Sequence, residues 1–403
     1  MEIEKYSYRH LLRISLRLFL FFTTLLLSSF VWSEKEENTV IILSLDGFRH
    51  DYPIQSSNGG FSKIVKEGLK ADFLVPVYQS STYPAHVSMA TGVSPIKHGI
   101  LHNGFFDREK GSFSYDPDAN WIEVAPLWIL AEQQGVKAAT FFWVGSETDW
   151  NDVAISYSKA PFNGRISEKD KISQILSWMD MPEEERPRLI MSWWHGADSI
   201  AHKLGPNHQS VKNQIKKQDK LLLSLIDQIE DRKLWGKTTL IVVSDHGMSE
   251  ISNLININEI LKTESIKARL SLGPAVGHIF LDEEEDMSQA LKALRANKKL
   301  QAYSQADIPI EIGVHESRTG DIVLTTSAPN MLVSRNNKTP PKGMHGYNPS
   351  INKEMNGIFY AYGYGVANKS IDPVHQLDLV PTAAKLLGIE IPNIVEGSAI
   401  QLD

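Results

Sequence analysis

The chain has 403 residues, 42% hydrophobic and 22% charged, with a formal net charge of −7 and no cysteine. That length allows one large core or two smaller ones, and the composition carries no signature of disorder. Without cysteine, disulfides and thiolate metal sites are excluded, so any metal must be held by His, Asp and Glu.

The first 33 residues stand apart. Lys5, Arg9, Arg13 and Arg17 form a basic segment, the apolar run Leu18–Trp32 follows, and Val31 and Ser33 place small residues at a cleavage site. This predicts a secretory signal peptide over residues 1–33. A spanning helix needs about 20 apolar residues, and this run is shorter and contains two Thr and two Ser. The expectation is an exported protein, periplasmic or secreted, with no stable membrane anchor and a catalytic domain over residues 34–403. Removing residues 1–33 takes away four basic and two acidic side chains, so the net charge moves from −7 to −9. So acidic a domain lacks the basic surface that duplex nucleic acid demands.

The run Thr39–Leu45, TVIILSL, is continuously apolar and β-branched and ends in Asp46-Gly47. Such a run suits a strand buried on both faces in a parallel sheet. Arg188–Trp194 reads the same way and ends in His195-Gly196, and Thr238–Ser244 ends in Asp245-His246-Gly247. Between them Val211–Ile229 has helical apolar spacing. Alternating strands and helices predict an α/β fold with a mostly parallel central sheet flanked by helices. In such sheets, polar residues just past the strand ends gather along the edge where ligands bind. From about residue 251 to 342 the pattern changes to short apolar runs around an amphipathic helix, Met287–Leu300, which predicts an inserted α+β cap. His375–Ile389 reads as a helix returning to the sheet.

Several pairs carry metal-binding chemistry only in combination. Asp198 and His202 stand four residues apart and would share one helix face, yet such pairs are commonly surface contacts. Asp245-His246 and the glycine-flanked His345 are equally ambiguous alone. Together, Asp46, Asp198, His202, Asp245, His246 and His345 supply six ligands, enough for two Zn²⁺ with three protein ligands each and open positions for substrate. Two such ions ~4 Å apart would clamp the attacking and leaving oxygens of a phosphoryl displacement. The stretch QSSTYPAHVSMATGVSPIKHGI, residues 79–100, supplies candidate nucleophilic hydroxyls and also reads as a helix start capped by Thr82.

The order Asp46-Gly47-Phe48-Arg49, Thr82-Tyr83-Pro84-Ala85-His86, Thr91-Gly92, His98-Gly99-Ile100, Asn103, Asp198 and His202, Asp245-His246-Gly247-Met248 and His345-Gly346-Tyr347 resembles the nucleotide pyrophosphatase/phosphodiesterase family of the alkaline phosphatase superfamily. The similarity extends from Leu45 to Ile389. The resemblance implies one zinc held by Asp46, Asp245, His246 and Thr82, and another held by Asp198, His202 and His345. It implies Thr82 as nucleophile, passing through a phospho-threonine intermediate, and Asn103 with the Tyr83 backbone N–H receiving a phosphoryl oxygen. Tyr83, Trp193 and Phe162 fall near positions where the family stacks a nucleobase, and His86 and His98 are expected to be structural or supporting. The implied reaction hydrolyses a nucleotide phosphodiester or pyrophosphate bond and releases a nucleoside 5′-monophosphate.

Some positions depart from the family pattern. Ser81 stands where many nucleotide-cleaving members carry Lys, Trp143-Val144-Gly145 replaces a WPG element, and Ala201 replaces Gly. A phospholipase C-like choline or glycerol phosphodiesterase, and a catalytically silent metal-binding protein, are the competing readings.

Overall fold

The computed structural model describes residues 38–55, 58–336 and 339–403; the predicted signal peptide lies outside them. An eight-stranded sheet runs in the order Lys369–Ile371, Leu69–Ala71, Phe359–Gly363, Thr238–Val243, Thr39–Leu45, Leu189–Trp194, Ala138–Phe141 and Tyr157–Lys159. Its central strands are parallel; Phe359–Gly363 is antiparallel to both its neighbours.

Period-two geometry sends alternate side chains of the Thr39 strand to opposite faces. Ile41, Leu43 and Leu45 join one buried cluster with Ile172, Ile215 and Leu222, which come from the helices Glu168–Met179 and Gln209–Asp231. Val40 and Ile42 join a second cluster with Trp128, Val380 and Leu387, on the far side. Both faces are covered by helices, so an unbroken apolar run is the pattern the position requires. Fully burying each such side chain contributes about 1.5–3 kcal/mol.

The returning helix spans Leu379–Leu387, preceded by a 3₁₀ turn at Gln376–Asp378. This is shorter than the predicted His375–Ile389, because Gly388 is left-handed and stops it. Residues Ala268–Leu272, Val276–Leu281, Ile322–Thr325 and Gln301–Ser304 form a separate four-stranded antiparallel sheet. Helices Ile257–Thr263 and Met287–Ala296 pack on it around Leu261, Ile279, Leu294 and Leu324. The second helix ends four residues before the predicted Leu300, where Asn297 adopts an extended conformation. Fully buried Arg318 ties this segment to the main sheet's side of the molecule, with Nε 2.8 Å from Asp107 Oδ2 and the guanidinium 2.5 Å from Glu123. Among the described residues no helix is long and apolar enough to cross a membrane.

Candidate active site

Two neighbouring parallel strands end at the same edge and deliver Asp46, Asp245 and His246 side by side. Gly47 lets the chain turn there: its φ is +63°, and a Cβ would meet the Asp198 Cβ at 3.0 Å. The Gly47 N–H donates to Asp245 Oδ1 at 3.0 Å, and the His246 N–H donates to the same oxygen at 2.9 Å. The Asp245 carbonyl accepts from the Gln376 amide at 2.6 Å, while Gln376 Oε1 accepts from the Val77 N–H. Gln376 thus joins the strand end to the segment leading into Thr82, a role with no local signature in the sequence.

Asp198 and His202 lie on the short helix Asp198–Leu204, with His202 Nε2 3.2 Å from Asp198 Oδ1. His345 follows the short strand Gly343–Met344 and sits with its Nε2 3.9 Å from the same oxygen. Ligand-capable atoms of Asp198, His202 and His345 all lie within 4.8 Å of one another, as do those of Asp46, Asp198 and His246. Asp245 adjoins the second group, its Oδ2 3.3 Å from His246 Nε2, and Asp46 Oδ1 is 3.6 Å from that nitrogen. The structure therefore brings together all six residues that the sequence scatters over 300 positions.

The donor set fits divalent cations on two counts. Asp46 Oδ1, Asp198 Oδ1 and Asp245 Oδ2 are buried and accept no hydrogen bond, an arrangement that costs free energy unless a cation fills it. Each imidazole is held through Nδ1 by a backbone carbonyl: His202 by Gly343 at 2.9 Å, His246 by Gly247 at 2.8 Å and His345 by Ser80 at 3.2 Å. That fixes the tautomer and presents Nε2 as the ligand atom. The groups also shift one another's protonation. Burial, followed by the Asp245 and Asp198 carboxylates, raises Asp46 well above the usual carboxylate range. Burial would also raise Asp198, but His202 beside it holds it below its ordinary value. Burial would lower His202, and Asp198 outweighs it and raises it; burial and then His246 push His345 well down.

Thr82 opens the helix Thr82–Thr91 as its first residue, and Ser81 occupies the capping position without making a side-chain cap. This corrects the reading of Thr82 as the cap. Its hydroxyl stays free of that duty and lies 3.3 Å from His246 Nε2. His86, one turn on, is fully buried, with Nδ1 2.8 Å from the Thr82 carbonyl oxygen and 3.5 Å from Asp245 Oδ2. His98 is buried against Ser88 Oγ at 2.9 Å. The Tyr83 N–H donates to Asn103 Oδ1 at 2.9 Å, so this backbone donor is engaged and the Asn103 amide N–H₂ is the group left to donate.

The three aromatic candidates separate into two groups. Trp193 is largely buried, and its Nε1–H donates to Asp46 Oδ2 at 3.1 Å. Phe162 is 44% exposed, which rules out core packing, and its ring lies 4.8 Å from Trp193 and 5.3 Å from His195. Tyr83 is half-buried and edge-on to Phe113 and Tyr115. Behind Trp193 stands Lys171, fully buried and donating to the Trp193 carbonyl at 2.5 Å, with its pKa lowered to about 8 by burial. Sequence reasoning missed it, because a Lys inside an amphipathic helix pattern reads as surface.

A parallel α/β sheet with carboxylates and imidazoles at its strand ends, facing a hydroxyl at a helix start, defines a metal-dependent hydrolase of alkaline phosphatase-like fold. Residues 40–348 match the family of type I phosphodiesterases/nucleotide pyrophosphatases, and the chain belongs to that family. An uncharacterized pyrophosphatase/phosphodiesterase of Schizosaccharomyces pombe is 28% identical over 88% of this chain and 77% of its own length. Human ectonucleotide pyrophosphatase/phosphodiesterase family member 1 is 28% identical over 82% of this chain, which spans only 38% of that protein. The solved structure of murine ectonucleotide pyrophosphatase/phosphodiesterase 5 superposes with a TM-score of 0.83 at 28% identity, covering 89% of this chain and 97% of that one. An inactive threonine-to-alanine form of the murine protein in complex with AMP gives the same TM-score at 27% identity, over 90% of this chain and 97% of that one. Family membership makes this protein a hydrolase of phosphodiester and pyrophosphate bonds.

Proposed function

We propose that the protein is an exported two-zinc phosphodiesterase/nucleotide pyrophosphatase that releases nucleoside 5′-monophosphates through a covalent intermediate on Thr82. The observation that carries the reading is the Thr82 hydroxyl, free of capping duty and 3.3 Å from His246 Nε2 among buried, unpartnered carboxylate oxygens. Asp46, Asp245, His246 and Thr82 would hold one zinc, and Asp198, His202 and His345 the other. Bound Zn²⁺ lowers the pKa of a coordinated hydroxyl and offsets phosphoryl charge.

Thr82 Oγ1 attacks phosphorus after giving up its proton to solvent. The Thr82–phosphorus bond forms as the phosphorus–oxygen bond to the leaving group breaks, and the electron pair departs with that oxygen. Water then cleaves the threonine ester, releasing the nucleoside monophosphate and restoring the hydroxyl. Asn103 donates from its amide N–H₂ to a non-bridging oxygen while Tyr83 N–H holds its Oδ1. The start of the Thr82–Thr91 helix adds its positive dipole end beside the phosphate.

Exposed Phe162 packed on Trp193, with Tyr83, offers faces for a nucleobase. The AMP complex of the murine relative, and its inactivation by a threonine-to-alanine change, support both the nucleotide and the nucleophile. On the domain plan proposed, residues 1–33 form a signal peptide and residues 34–403 the catalytic domain, with a cap over roughly 251–342. The likeness to the human and murine ectonucleotide relatives supports export. Purified with Zn²⁺, the protein is expected to hydrolyse p-nitrophenyl thymidine 5′-monophosphate faster than p-nitrophenyl phosphate and faster than glycerophosphocholine. A strong preference for the monoester would overturn the diesterase reading.

A further inference from the structure

The helix Glu168–Met179 brings into the core a charge that the proposed reaction does not use. Helical spacing puts Lys171, Ile172, Ile175, Leu176 and Met179 on one inner face, and all five are buried. The four apolar side chains join the main cluster, but Lys171 carries an ammonium. Its Nζ donates to the Trp193 carbonyl at 2.5 Å. Carbonyls alternate sides along a strand, and the Trp194 carbonyl accepts from the Asp46 N–H on the opposite side. The flanking strand Ala138–Phe141 pairs only as far as Phe141 with Ser192, so its ladder stops one residue short of Trp193. Lys171 supplies the donor that the ladder lacks.

Satisfying one carbonyl does not require a charge. A neutral donor would do so without the cost of burying an ammonium. Among the described residues no carboxylate forms an ion pair with Lys171. Glu168, one turn earlier, is held by Gln218 Nε2 at 2.7 Å and Gln214 Nε2 at 3.2 Å. Burial lowers Lys171 to about 8, with Glu168 and then Asp46 opposing it, so the ammonium persists at neutral pH. A charge-assisted hydrogen bond is about twice as strong as a neutral one, which suits a carbonyl that must not move. What would move with it is Trp193. The Trp193 indole donates to Asp46 Oδ2 at 3.1 Å, and its ring packs 4.8 Å from Phe162. The Lys171 ammonium also lies 5.1 Å from the Phe142 ring, which is edge-on to Phe162 at 5.4 Å.

We propose that Lys171 is a positioning residue: it fixes Trp193 so that the indole holds Asp46 Oδ2 and leaves Oδ1 aimed at the metal. Two successive hydrogen bonds carry the effect, from Nζ to the Trp193 carbonyl and from Nε1 to the carboxylate. The inference rests on the two-zinc phosphodiesterase reading. Simple repulsion between an ammonium and a nearby dication would act with the opposite sign. Lost positioning weakens zinc binding, whereas lost repulsion tightens it.

Competition with a chromogenic chelator reads zinc affinity without turnover. Lys171→Met keeps the side-chain length, removes charge and donor, and should weaken zinc binding by about tenfold. Lys171→Arg keeps both and should stay within about threefold of wild type. In a Trp193→Phe background the link to Asp46 is already cut, so Lys171→Met should add less than about threefold. At saturating zinc, kcat/KM on bis-p-nitrophenyl phosphate, a diester without a nucleobase, should fall about tenfold or more in Lys171→Met. Should Lys171→Met not fold, Lys171→Gln carries the same expectations, since its shorter amide brings no charge to the carbonyl. Unchanged or tighter zinc binding, or an unchanged kcat/KM, would overturn the inference. So would losses that multiply fully in the double variant, or an Arg that restores nothing. A zinc-loaded wild type inactive on every diester would instead strike the phosphodiesterase reading, while the zinc affinities still decide the role of Lys171.

Discussion

Trp193 Nε1 donates to Asp46 Oδ2 at 3.1 Å, so one oxygen of this carboxylate is held by protein while Oδ1 remains without a partner. The indole thereby aims the free oxygen at the site and lowers the cost of ionising a carboxyl that burial raises. Trp193→Phe keeps an aromatic face for stacking and removes only the donor. It should weaken binding of the first zinc by about 10–100-fold, the usual effect of losing an outer hydrogen bond. Competition with a chromogenic chelator measures this; unchanged affinity would show that the indole serves substrate alone.

Chelation should destabilise the protein as well as silence it. The native fold holds three carboxylates together with unpartnered buried oxygens, and a dication that binds only the folded state adds stability by mass action. At a hundredfold excess over Kd one site contributes about 2.7 kcal/mol. Urea midpoints with EDTA and with added Zn²⁺ should therefore differ clearly, and Asp198→Ala should shrink the difference. Identical midpoints would mean that the cluster binds no metal.

Asp107 predicts an acid-sensitive contact far from the chemistry. Burial would raise its carboxyl, but the Arg318 guanidinium and the backbone N–H groups of Lys110 and Glu109 bring it down to about 2. A depressed carboxyl contributes stability that is fully present above its unfolded pKa of about 3.9, and loses it as pH falls through the folded value. Asp107→Asn removes one carboxylate partner of Arg318, which keeps Glu123, and should cost about 1.5–3 kcal/mol at neutral pH. Urea midpoints should show that cost constant above about pH 5 and shrinking between about pH 4 and 2. A difference that persists undiminished to pH 2 would refute the assignment.

The strand ends were legible because a central strand leaves no room for charged residues until it stops. Thr39–Leu45 carries no charge, so Asp46 stands out as the first charged residue, and Asp245 does the same after Thr238–Val243 and Ser244. Asp198 and His202 share a helix face by their spacing, a pattern that is ambiguous until it is combined with the other ligands. His345 and Thr82 do not; only the motif order in the sequence singled them out. Contacts between distant side chains escaped altogether. Trp193 and Asp46 lie 147 positions apart, and Arg318 and Asp107 lie 211 apart, with no periodicity linking either pair. Ser81 as the helix cap in place of Thr82 was missed because both residues are good cap formers, and the one-residue register depends on tertiary contacts.

The central claim is that Thr82 forms the bond to phosphorus, and one comparison tests it most directly. Zinc-loaded wild type and Thr82→Ala are assayed in parallel on p-nitrophenyl thymidine 5′-monophosphate, with bound zinc counted in each sample. Loss of turnover to the background rate, with the ion held by Asp198, His202 and His345 retained, is the predicted result. A Thr82→Ala protein that carries zinc and still turns over the diester would contradict the account.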